Sequence, residues 1–449
     1  MNDPIVNSQF HFSTILTPAS SPSDKVFIPG RSRPISTMSS KAIILVGGGT
    51  RGTRFRPLSL DIPKVLFPVA GRPIISHALS ALATVPSIKE VLLIGFYDDS
   101  VFKDFLAEAA KEFPQFSIKY LREYRALGTA GGLYHFRDAI LKGHPYRLFV
   151  IHADVCSSFP LAEMLSMFEE KEAKAVILGT RVEPQFASNF GCIVMDPATK
   201  KVIHYVEKPE SHISNLINGG VYLFDRSIFD VIAAARNARA EQARDDPSED
   251  EDAQEVLRLE QDILVRLAQA DGFYVYETRG FWRQIKTAGS AVPANALYLQ
   301  KLFQTDIDAP HLARASATIV PPVYIDSTAS VDPTAKLGPN VSVGPRARVG
   351  AGARVKEAIL LEDTEVKHDA CVLYSILARG VKVGAWARVE GSHITPADHS
   401  TVIFKNGVRV QSVSILAQDV VVGDEVRLQN CVVLPHKEIK SDVENEVIM

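Results

Sequence analysis

Residues 42–64 read AIILVGGGTRGTRFRPLSLDIPK, an apolar run that leads directly into a glycine-rich and basic stretch. Four glycines fall within residues 47–52, and Arg54 and Lys64 follow among prolines. Exposed backbone amides beside positive charge are typical of a phosphate-binding loop. We therefore predict a buried strand over residues 42–46 and a nucleotide-binding loop after it. The predicted loop residues are Gly47, Gly48, Gly52 and Thr53.

Two common glycine motifs do not fit this loop. Its glycines match the dinucleotide pattern G-x-G-x-x-G, but that motif must open a helix, which Pro57 and Pro63 would break. The Walker pattern requires a lysine where Thr53 stands. A glycine-rich surface turn is the alternative, and the basic residues at fixed offsets favour a phosphate site over it.

Short apolar runs alternate with amphipathic stretches from residue 41 to about residue 224. Such alternation is typical of an α/β fold with a mostly parallel sheet covered on both faces. Ligands of these sheets bind beyond the carboxyl ends of the strands, where the Gly47 loop falls. The predicted strands cover residues 42–46, 91–95, 148–152, 175–179, 192–195 and 221–224, and the predicted helices cover residues 74–84, 101–113 and 161–172.

A second domain is indicated by a repeat, because an aliphatic residue recurs every six positions from Ile325 to Leu361. This period is typical of a hexapeptide β-helix, in which each aliphatic side chain fills a corner of a three-sided prism. The register slips after Leu361 and resumes in pieces. The predicted organisation is a disordered leader over 1–40, an α/β domain over 41–305 with a charged excursion at 234–255, and a left-handed parallel β-helix over 306–449.

Composition gives no sign of a nucleic-acid or membrane partner. The formal net charge is -3, and no apolar run approaches the roughly 20 residues of a membrane span. The four cysteines are scattered without C-x-x-C spacing, which favours free thiols in a reducing cytosol. We therefore expect a cytoplasmic protein.

Asp154 ends the apolar run of residues 149–153 and is the first candidate for chemistry. A carboxylate at the carboxyl end of a parallel strand is well placed to hold Mg²⁺ on a phosphate. Capping of a helix that starts near Pro160 is the alternative.

A second glycine-rich turn, LGTAGG, covers residues 127–132. Backbone donors around Gly128 and Thr129 would receive a base or a ribose. Glu123 precedes the turn, and its carboxylate would accept from two adjacent N–H groups. Guanine presents such a pair at N1 and N2, whereas uracil and thymine do not. An exposed surface glutamate is the alternative.

Polar residues at two further turns outline a small pocket. YVEKP at residues 205–209 supplies Lys208 for a phosphate and Glu207 for sugar hydroxyls, and Asn218 follows in NGGVY. Gly191 belongs to a third short motif, NFG. Either of the motifs YVEKP and NGGVY alone would be typical of an ordinary turn.

These motifs converge on a known family. GGGTRGTRFRPLSLDIPK, LGTAGG, HADV, NFG, YVEKP, NGGVYLF and the ending VVLPHKEI resemble, in order and spacing, the alpha-type GDP-mannose pyrophosphorylases among the sugar-nucleotide pyrophosphorylases. The resemblance covers residues 41–449. It implies a nucleotidyltransferase-type Rossmann-like domain, in which a sugar 1-phosphate attacks the α-phosphorus of a nucleoside triphosphate and pyrophosphate leaves.

The resemblance also implies roles for individual residues. Arg54 and Lys64 would face the triphosphate, Lys208 would face the sugar phosphate, and Asp154 would hold Mg²⁺. The implied sugar-site residues are Glu207, Asn218 and Gly191.

Two departures from the active members of the family bear on catalysis. Active members read GGxGTRLxPLT, and this chain is two residues longer between its first glycines and Arg54. Active members also carry W-x-D-I, with an aspartate metal ligand where this chain has Gln284. Loss of one anionic ligand weakens Mg²⁺ binding. A few kcal/mol lost in the transition state would reduce turnover by roughly two orders of magnitude.

The resemblance therefore implies a regulatory subunit that binds GDP-mannose and restrains a catalytic beta-type partner, with homo- and hetero-oligomers built through the β-helix. The first alternative is an active mannose-1-phosphate guanylyltransferase that uses GTP and mannose 1-phosphate. A non-enzymatic subunit like those of translation initiation factor 2B is weaker, because Lys64 and Asp154 are intact. An acyltransferase is weaker still, since His393 and His399 are isolated candidates.

Overall fold

The computed structural model describes residues 39–47, 53–245, 256–393, 399–400, 402–405 and 408–449. The leader predicted over residues 1–40 lies almost wholly outside this part of the chain, as do Gly48, Gly52 and the second half of the predicted charged excursion. Within the described ranges, no helix has both the length and the apolar character needed to cross a membrane.

The first part of the chain alternates strands and helices. The strands are β1 (Ser40–Gly47), β2 (Pro68–Val69), β3 (Arg72–Pro73), β4 (Ile88–Gly95), β5 (Ser117–Arg122), β6 (Arg147–His152), β7 (Val155–Ser157), β8 (Ala175–Arg181), β9 (Gly191–Met195), β10 (Val202–Glu207), β11 (Leu216–Asp225), β12 (Phe273–Glu277) and β13 (Trp282–Gln284). The α-helices are α1 (Ile74–Ala83), α2 (Asp99–Glu112), α3 (Gly128–His135), α4 (Arg137–Leu141), α5 (Leu161–Glu170), α6 (Pro184–Ala187), α7 (Ile228–Asp245), α8 (Leu264–Ala268) and α9 (Ala291–Thr305). Short 3-10 helices cover Thr53–Phe55, Leu58–Leu60, Lys64–Leu66 and Ala288–Ser290, and a π-helical turn covers Leu259–Ile263.

Nine of these strands form one sheet in the order β10-β9-β11-β6-β1-β4-β5, with β8 paired to β11 and β12 paired to β8. β1 lies parallel to both β4 and β6, whereas β11 runs antiparallel to β6 and β8. Central β1 is buried over residues 40–44 because helices cover both faces, which explains its unbroken apolar sequence. All six predicted strands and all three predicted helices form.

The helices differ from the predictions mainly at their ends. α2 begins two residues earlier than predicted because the Asp98 carboxylate accepts from the backbone N–H of Ser100 at 3.1 Å and caps the helix. α7 continues to Asp245, so the stretch predicted as an excursion from residue 234 begins as a helix. The charged composition from residue 234 onward therefore does not interrupt the helix.

The second part of the chain is a parallel β-helix, as predicted from the repeat. Its strands are β14 (Val323–Ile325), β15 (Ser330–Val331), β16 (Lys336–Leu337), β17 (Val341–Val343), β18 (Arg348–Val349), β19 (Arg354–Leu360), β20 (Glu365–Val366), β21 (Cys371–Leu377), β22 (Lys382–Val383), β23 (Arg388–Glu390), β24 (Val402–Lys405), β25 (Val408–Gln411), β26 (Ser414–Leu416), β27 (Val421–Val422), β28 (Arg427–Gln429), β29 (Val432–Val433), β30 (Glu438–Ile439), β31 (Val443–Glu444) and β32 (Val447–Ile448). The combination of a Rossmann-like α/β part and this β-helix confirms the predicted fold class.

Coil length explains the slip in the repeat. Val331 pairs with Val349, so this coil advances by 18 residues, or three hexapeptides. Arg348 pairs with Glu365, so the next coil advances by 17. One missing residue per coil shifts every later aliphatic position. A longer insertion separates β23 from β28 and contains the antiparallel hairpin of β24 and β25.

The β-helix packs directly against the segment that follows the glycine loop. Phe55, Leu58 and Phe67 are buried in the same apolar core as the interior of the β-helix. Arg379 of the β-helix forms an ion pair with Asp61. The segment that carries Arg54 and Lys64 is therefore held between the two parts of the chain.

Asn295 of α9 is the polar centre of this junction and is fully buried. Its Oδ1 accepts from the backbone N–H of Ala70 at 2.8 Å and from the Ser342 hydroxyl at 2.6 Å. Its Nδ2 donates to the Asn340 carbonyl at 3.1 Å. One amide thus joins the glycine-loop segment, a helix and the β-helix.

Asn295→Leu is expected to destabilise the protein by roughly 2–4 kcal/mol, because a side chain of similar size leaves buried polar partners without a hydrogen bond. Thermal unfolding measures this. Gln300→Leu on the same helix is the control, since the side-chain hydrogen bond that Gln300 makes within the described ranges, to Asn340, is long at 3.4 Å. Equal melting temperatures for the two variants would contradict the assigned role of Asn295.

Candidate functional site

Two adjoining cavities lie at the edge of the sheet where β1 ends at Gly47 and β6 ends at His152. One has a volume of about 450 Å³ and is here called the Lys208 cavity. The other has a volume of about 410 Å³ and is called the Glu123 cavity. His152 and Arg258 line both. The site is therefore an elongated cleft with two compartments.

The predicted site residues divide between these compartments. The Lys208 cavity is lined by Arg54, Gly191, Glu207, Lys208, Asn218 and Gln284. The Glu123 cavity is lined by Gly47, Lys64, Glu123, Gly128, Thr129 and Asp154. Thr53 is exposed and lines neither cavity, and Gly48 and Gly52 lie outside the described residues. The structure thus places Arg54 and Lys64 in different compartments.

Asp154 and Lys64 form an ion pair in the wall of the Glu123 cavity. Lys64 Nζ donates to Asp154 Oδ2 at 2.9 Å, and the two side chains are 17% and 20% exposed. Burial opposes ionisation of the carboxyl, but Lys64 and then His152 outweigh it and hold the pKa of Asp154 at about 2. Asp154 is therefore a carboxylate at neutral pH.

Strand pairing brings Gln284 to this carboxylate. β13 runs antiparallel to β7 with Gln284 opposite Val155, and the backbone N–H of Ile285 donates to the Asp154 carbonyl at 2.8 Å. Gln284 Nε2 lies 3.4 Å from each carboxylate oxygen of Asp154. The position that the family pattern gives to a second aspartate is thus directly beside the first.

These residues are a poor match for Mg²⁺. In the described ranges, no group of three or more His, Cys, Asp or Glu side chains is placed to hold a metal ion. Asp154 offers one carboxylate, which already faces an ammonium and an amide N–H. Mg²⁺ prefers carboxylate oxygens and loses its water reluctantly. The donor set does not fit a tightly held Mg²⁺.

Asn218 organises the polar wall of the Lys208 cavity. Its Nδ2 donates to the hydroxyls of Tyr205 and Tyr222 at 3.1 and 2.9 Å, and its Oδ1 accepts from the backbone N–H of Gly220 at 2.8 Å. The Tyr205 hydroxyl donates to Glu207 Oε2 at 2.8 Å. Asn218 therefore fixes the orientation of Glu207 through a tyrosine.

Gly191 is required for this arrangement. A Cβ at Gly191 would lie 2.0 Å from the Tyr205 hydroxyl and 2.7 Å from Glu207 Oε2. Lys208 Nζ lies 3.3 Å from Glu207 Oε1, and the lysine side chain is 61% exposed. The cavity thus presents a fixed carboxylate beside an exposed ammonium.

Glu123 is buried at the far end of the Glu123 cavity, with 8% of its surface exposed. Burial raises the pKa of its carboxyl to about 7. Ligand N–H groups that donate to the carboxylate would stabilise its charged form. The exposed-glutamate alternative for this residue is excluded by its burial.

Two backbone donors of the second glycine turn are used within the chain. The backbone N–H groups of Ala130 and Gly131 donate to the Leu257 carbonyl at 3.0 and 3.2 Å. Gly128 has a φ of +75°, and a Cβ there would lie 2.3 Å from the same carbonyl oxygen. The glycines of this turn therefore make room for residue 257 as well as for the cavity.

Sequence reasoning missed His152 and Glu260 as parts of the site. His152 Nε2 lies 3.1 Å from Glu260 Oε1, and the Thr129 hydroxyl donates to Glu260 Oε2 at 3.1 Å. Burial opposes ionisation of Glu260, but His152 outweighs it and lowers the pKa of Glu260 to about 2. His152 stood in the quoted HADV motif without a role, and no local signal marked Glu260.

Both parts of the chain match known protein families. A family model described as nucleotidyl transferase matches residues 41–285, and one described as the GMPPB C-terminal domain matches residues 319–449. A probable mannose-1-phosphate guanyltransferase from Schizosaccharomyces pombe is 53% identical over 416 residues, covering 92% of this chain and 100% of the relative.

This chain belongs to the mannose-1-phosphate guanylyltransferase family. Two further family members are named mannose-1-phosphate guanylyltransferase regulatory subunit alpha. The protein from Dictyostelium discoideum is 45% identical over 421 residues, covering 92% of this chain, and the protein from Xenopus tropicalis is 46% identical over 422 residues, covering 91%. Each is covered over 100% of its length. The resemblance drawn from the motifs is confirmed.

Proposed function

We propose that this chain binds GDP-mannose and regulates a catalytic beta-type homologue, while its own catalysis is weak or lost. The observation that carries the proposal is the surroundings of Asp154, whose carboxylate is paired with Lys64 and faced by the amide of Gln284. In the described walls of the two cavities, Glu123, Glu207 and Asn218 carry side chains that can hydrogen-bond a ligand. The residue at position 284 is thus expected to reduce catalysis while the residues for ligand binding are kept.

The predicted ligand contacts follow the two compartments. Mannose and its phosphate would occupy the Lys208 cavity beside Glu207 and Lys208, and guanosine would occupy the Glu123 cavity. Mg²⁺, if bound, would have Asp154 as its protein carboxylate and would be held weakly. The names of the relatives from Dictyostelium and Xenopus support the regulatory role.

Calorimetric titration of the purified protein with GDP-mannose tests the binding half of this proposal. We expect saturable binding of one GDP-mannose per chain and much weaker binding of UDP-glucose. Absence of GDP-mannose binding would exclude the proposal. Addition of the protein to a catalytic beta-type homologue tests the regulatory half, because GDP-mannose should then slow pyrophosphate release by the complex but not by the homologue alone.

An active mannose-1-phosphate guanylyltransferase is the second candidate. Arg54 and Lys64 both line the cleft, and the relative from Schizosaccharomyces pombe carries a guanyltransferase name without the word regulatory. Turnover by the purified chain alone at rates near 10 per second, ordinary for enzymes, would favour this candidate.

Glu123 should make GDP-mannose binding depend on pH. Its free carboxyl has a pKa of about 7, and guanine N–H groups favour the charged form. GDP-mannose affinity should therefore fall as the pH drops below 7, because the protonated carboxyl must first lose its proton. Titrations from pH 5.5 to 8 measure this. Glu123→Gln should bind more weakly and lose the pH dependence over that range, and an unchanged pH profile would contradict the role of Glu123.

A further inference from the structure

Lys286 lines the Lys208 cavity and had no role in any sequence motif. The pairing of β13 with β7 fixes Gln284 beside Asp154, and the chain then turns so that the backbone N–H of Lys286 donates to the Gln284 carbonyl at 3.2 Å. This turn directs the lysine into the cavity. Its position therefore depends on the same strand pair that positions Gln284.

The ammonium of Lys286 has only weak partners. Its Nζ lies 3.5 Å from the Asn189 carbonyl oxygen and 4.4 Å from the centre of the Phe190 ring. In the part of the chain that the structure describes, no carboxylate oxygen lies within the 4.0 Å of an ion pair. A carbonyl and an aromatic face offset only part of the cost of partly burying an ammonium.

The charges around Lys286 do not balance in the absence of a ligand. Burial lowers the pKa of Lys286 to about 8, and the nearby cations Lys208 and Arg54 add to this effect against Asp154 and Glu207. Asp154 is already paired with Lys64, and Glu207 with Lys208. The Lys208 cavity is lined by the basic side chains of Arg54, Lys208, Arg258 and Lys286 and by the carboxylates of Glu207 and Glu260, so its positive charge exceeds what its own carboxylates neutralise.

We infer that Lys286 binds the diphosphate of a sugar nucleotide and supplies fixed positive charge there, so that ligand binding needs no divalent metal. The inference rests on the proposed function, because the diphosphate is that of the GDP-mannose assigned to the cleft. Lys286, Arg54 and Lys208 would together contact the two adjacent phosphates of the diphosphate. A lysine two residues from Gln284 offsets the weak metal site at that position.

A charge-assisted hydrogen bond to a phosphate contributes enough to change affinity by roughly 10- to 100-fold. Lys286→Gln should therefore weaken GDP-mannose binding by that factor. Its melting temperature without ligand should equal or exceed that of the wild type, since the variant no longer buries an unbalanced ammonium. Lys286→Arg keeps the charge and should bind within about threefold of the wild type.

The experiment is calorimetric titration of the full chain with GDP-mannose, once with EDTA and once with millimolar Mg²⁺. The wild type should bind equally well in both. Lys111→Gln, which removes an exposed lysine from α2, is the matched control and should bind as the wild type does. The proposed function fails if the wild type does not bind in either condition.

Three other outcomes would contradict the inference about Lys286 without contradicting the proposed function. If the wild type binds only with Mg²⁺, a metal rather than the lysine neutralises the diphosphate. If the wild type binds without Mg²⁺ but Lys286→Gln binds with unchanged affinity, the lysine does not touch the ligand. A Lys286→Gln variant that melts well below the wild type would show that the lysine is structural.

Discussion

Lys64→Met is expected to lower the melting temperature by about 3 °C, which corresponds to roughly 3 kcal/mol in a protein of this size. The variant leaves the Asp154 carboxylate without its ammonium partner at 2.9 Å. An uncompensated charge that is only one-fifth exposed loses most of its stabilisation. The expected loss of stability is at the low end of the roughly 3–5 kcal/mol that a broken buried ion pair costs, because some water still reaches this pair.

A double variant separates the ion pair from lost packing. Lys64→Met combined with Asp154→Asn should recover most of the lost stability, because the carboxylate is then absent as well. Thermal unfolding of the wild type, both single variants and the double variant gives the coupling free energy. Additive losses would show that the pair contributes nothing, and the view of Asp154 as neutralised by Lys64 would have to be abandoned.

Gln284→Asp is expected to create a metal site that the wild type lacks. The new carboxylate would lie beside Asp154, where Gln284 Nε2 now stands 3.4 Å from both oxygens. Two neighbouring carboxylates repel each other unless a cation lies between them. Millimolar Mg²⁺ should therefore raise the melting temperature of the variant by several degrees and leave that of the wild type unchanged.

Gln284→Asn is the matched control, since it has the size of aspartate without the charge. It should show no response to Mg²⁺. We also expect Gln284→Asp to release pyrophosphate from GTP and mannose 1-phosphate at least tenfold faster than the wild type. If Mg²⁺ does not stabilise Gln284→Asp, the lost carboxylate is not what separates binding from catalysis in this chain.

The sequence predicted the placement of those cleft residues that lie on strands or at their ends. Gly47 and Asp154 follow apolar runs, and the carboxyl ends of β1 and β6 meet because the two strands are parallel neighbours. Glu207 and Asn218 likewise follow from strand pattern and turn chemistry. Periodicity places such residues without any knowledge of long-range contacts.

Residues whose positions depend on packing between distant segments were not predictable. The Leu257 carbonyl accepts from two N–H groups of the glycine turn 127–132, and Glu260 reaches His152 from a segment more than 100 residues away along the chain. Asn295 in α9 connects Ala70 to the β-helix. None of these partners shares a local pattern, so only the folded structure relates them.

The glycine-rich loop carries the first sequence argument for weak catalysis. Its two-residue excess predicts weakened catalysis, but residues 48–52 lie outside the described part of the chain. The structure strengthens the second sequence argument, at Gln284, because an amide there stands beside a single, already paired carboxylate. The regulatory proposal depends on this geometry rather than on the loop.

The rate of pyrophosphate release by the purified wild-type chain, supplied with saturating GTP, mannose 1-phosphate and Mg²⁺, tests the central claim most directly. With binding retained and the second carboxylate absent, the rate should be at least two orders of magnitude below the ordinary enzymatic value of about 10 per second. A rate near that value, from a preparation free of any beta-type homologue, would contradict the account.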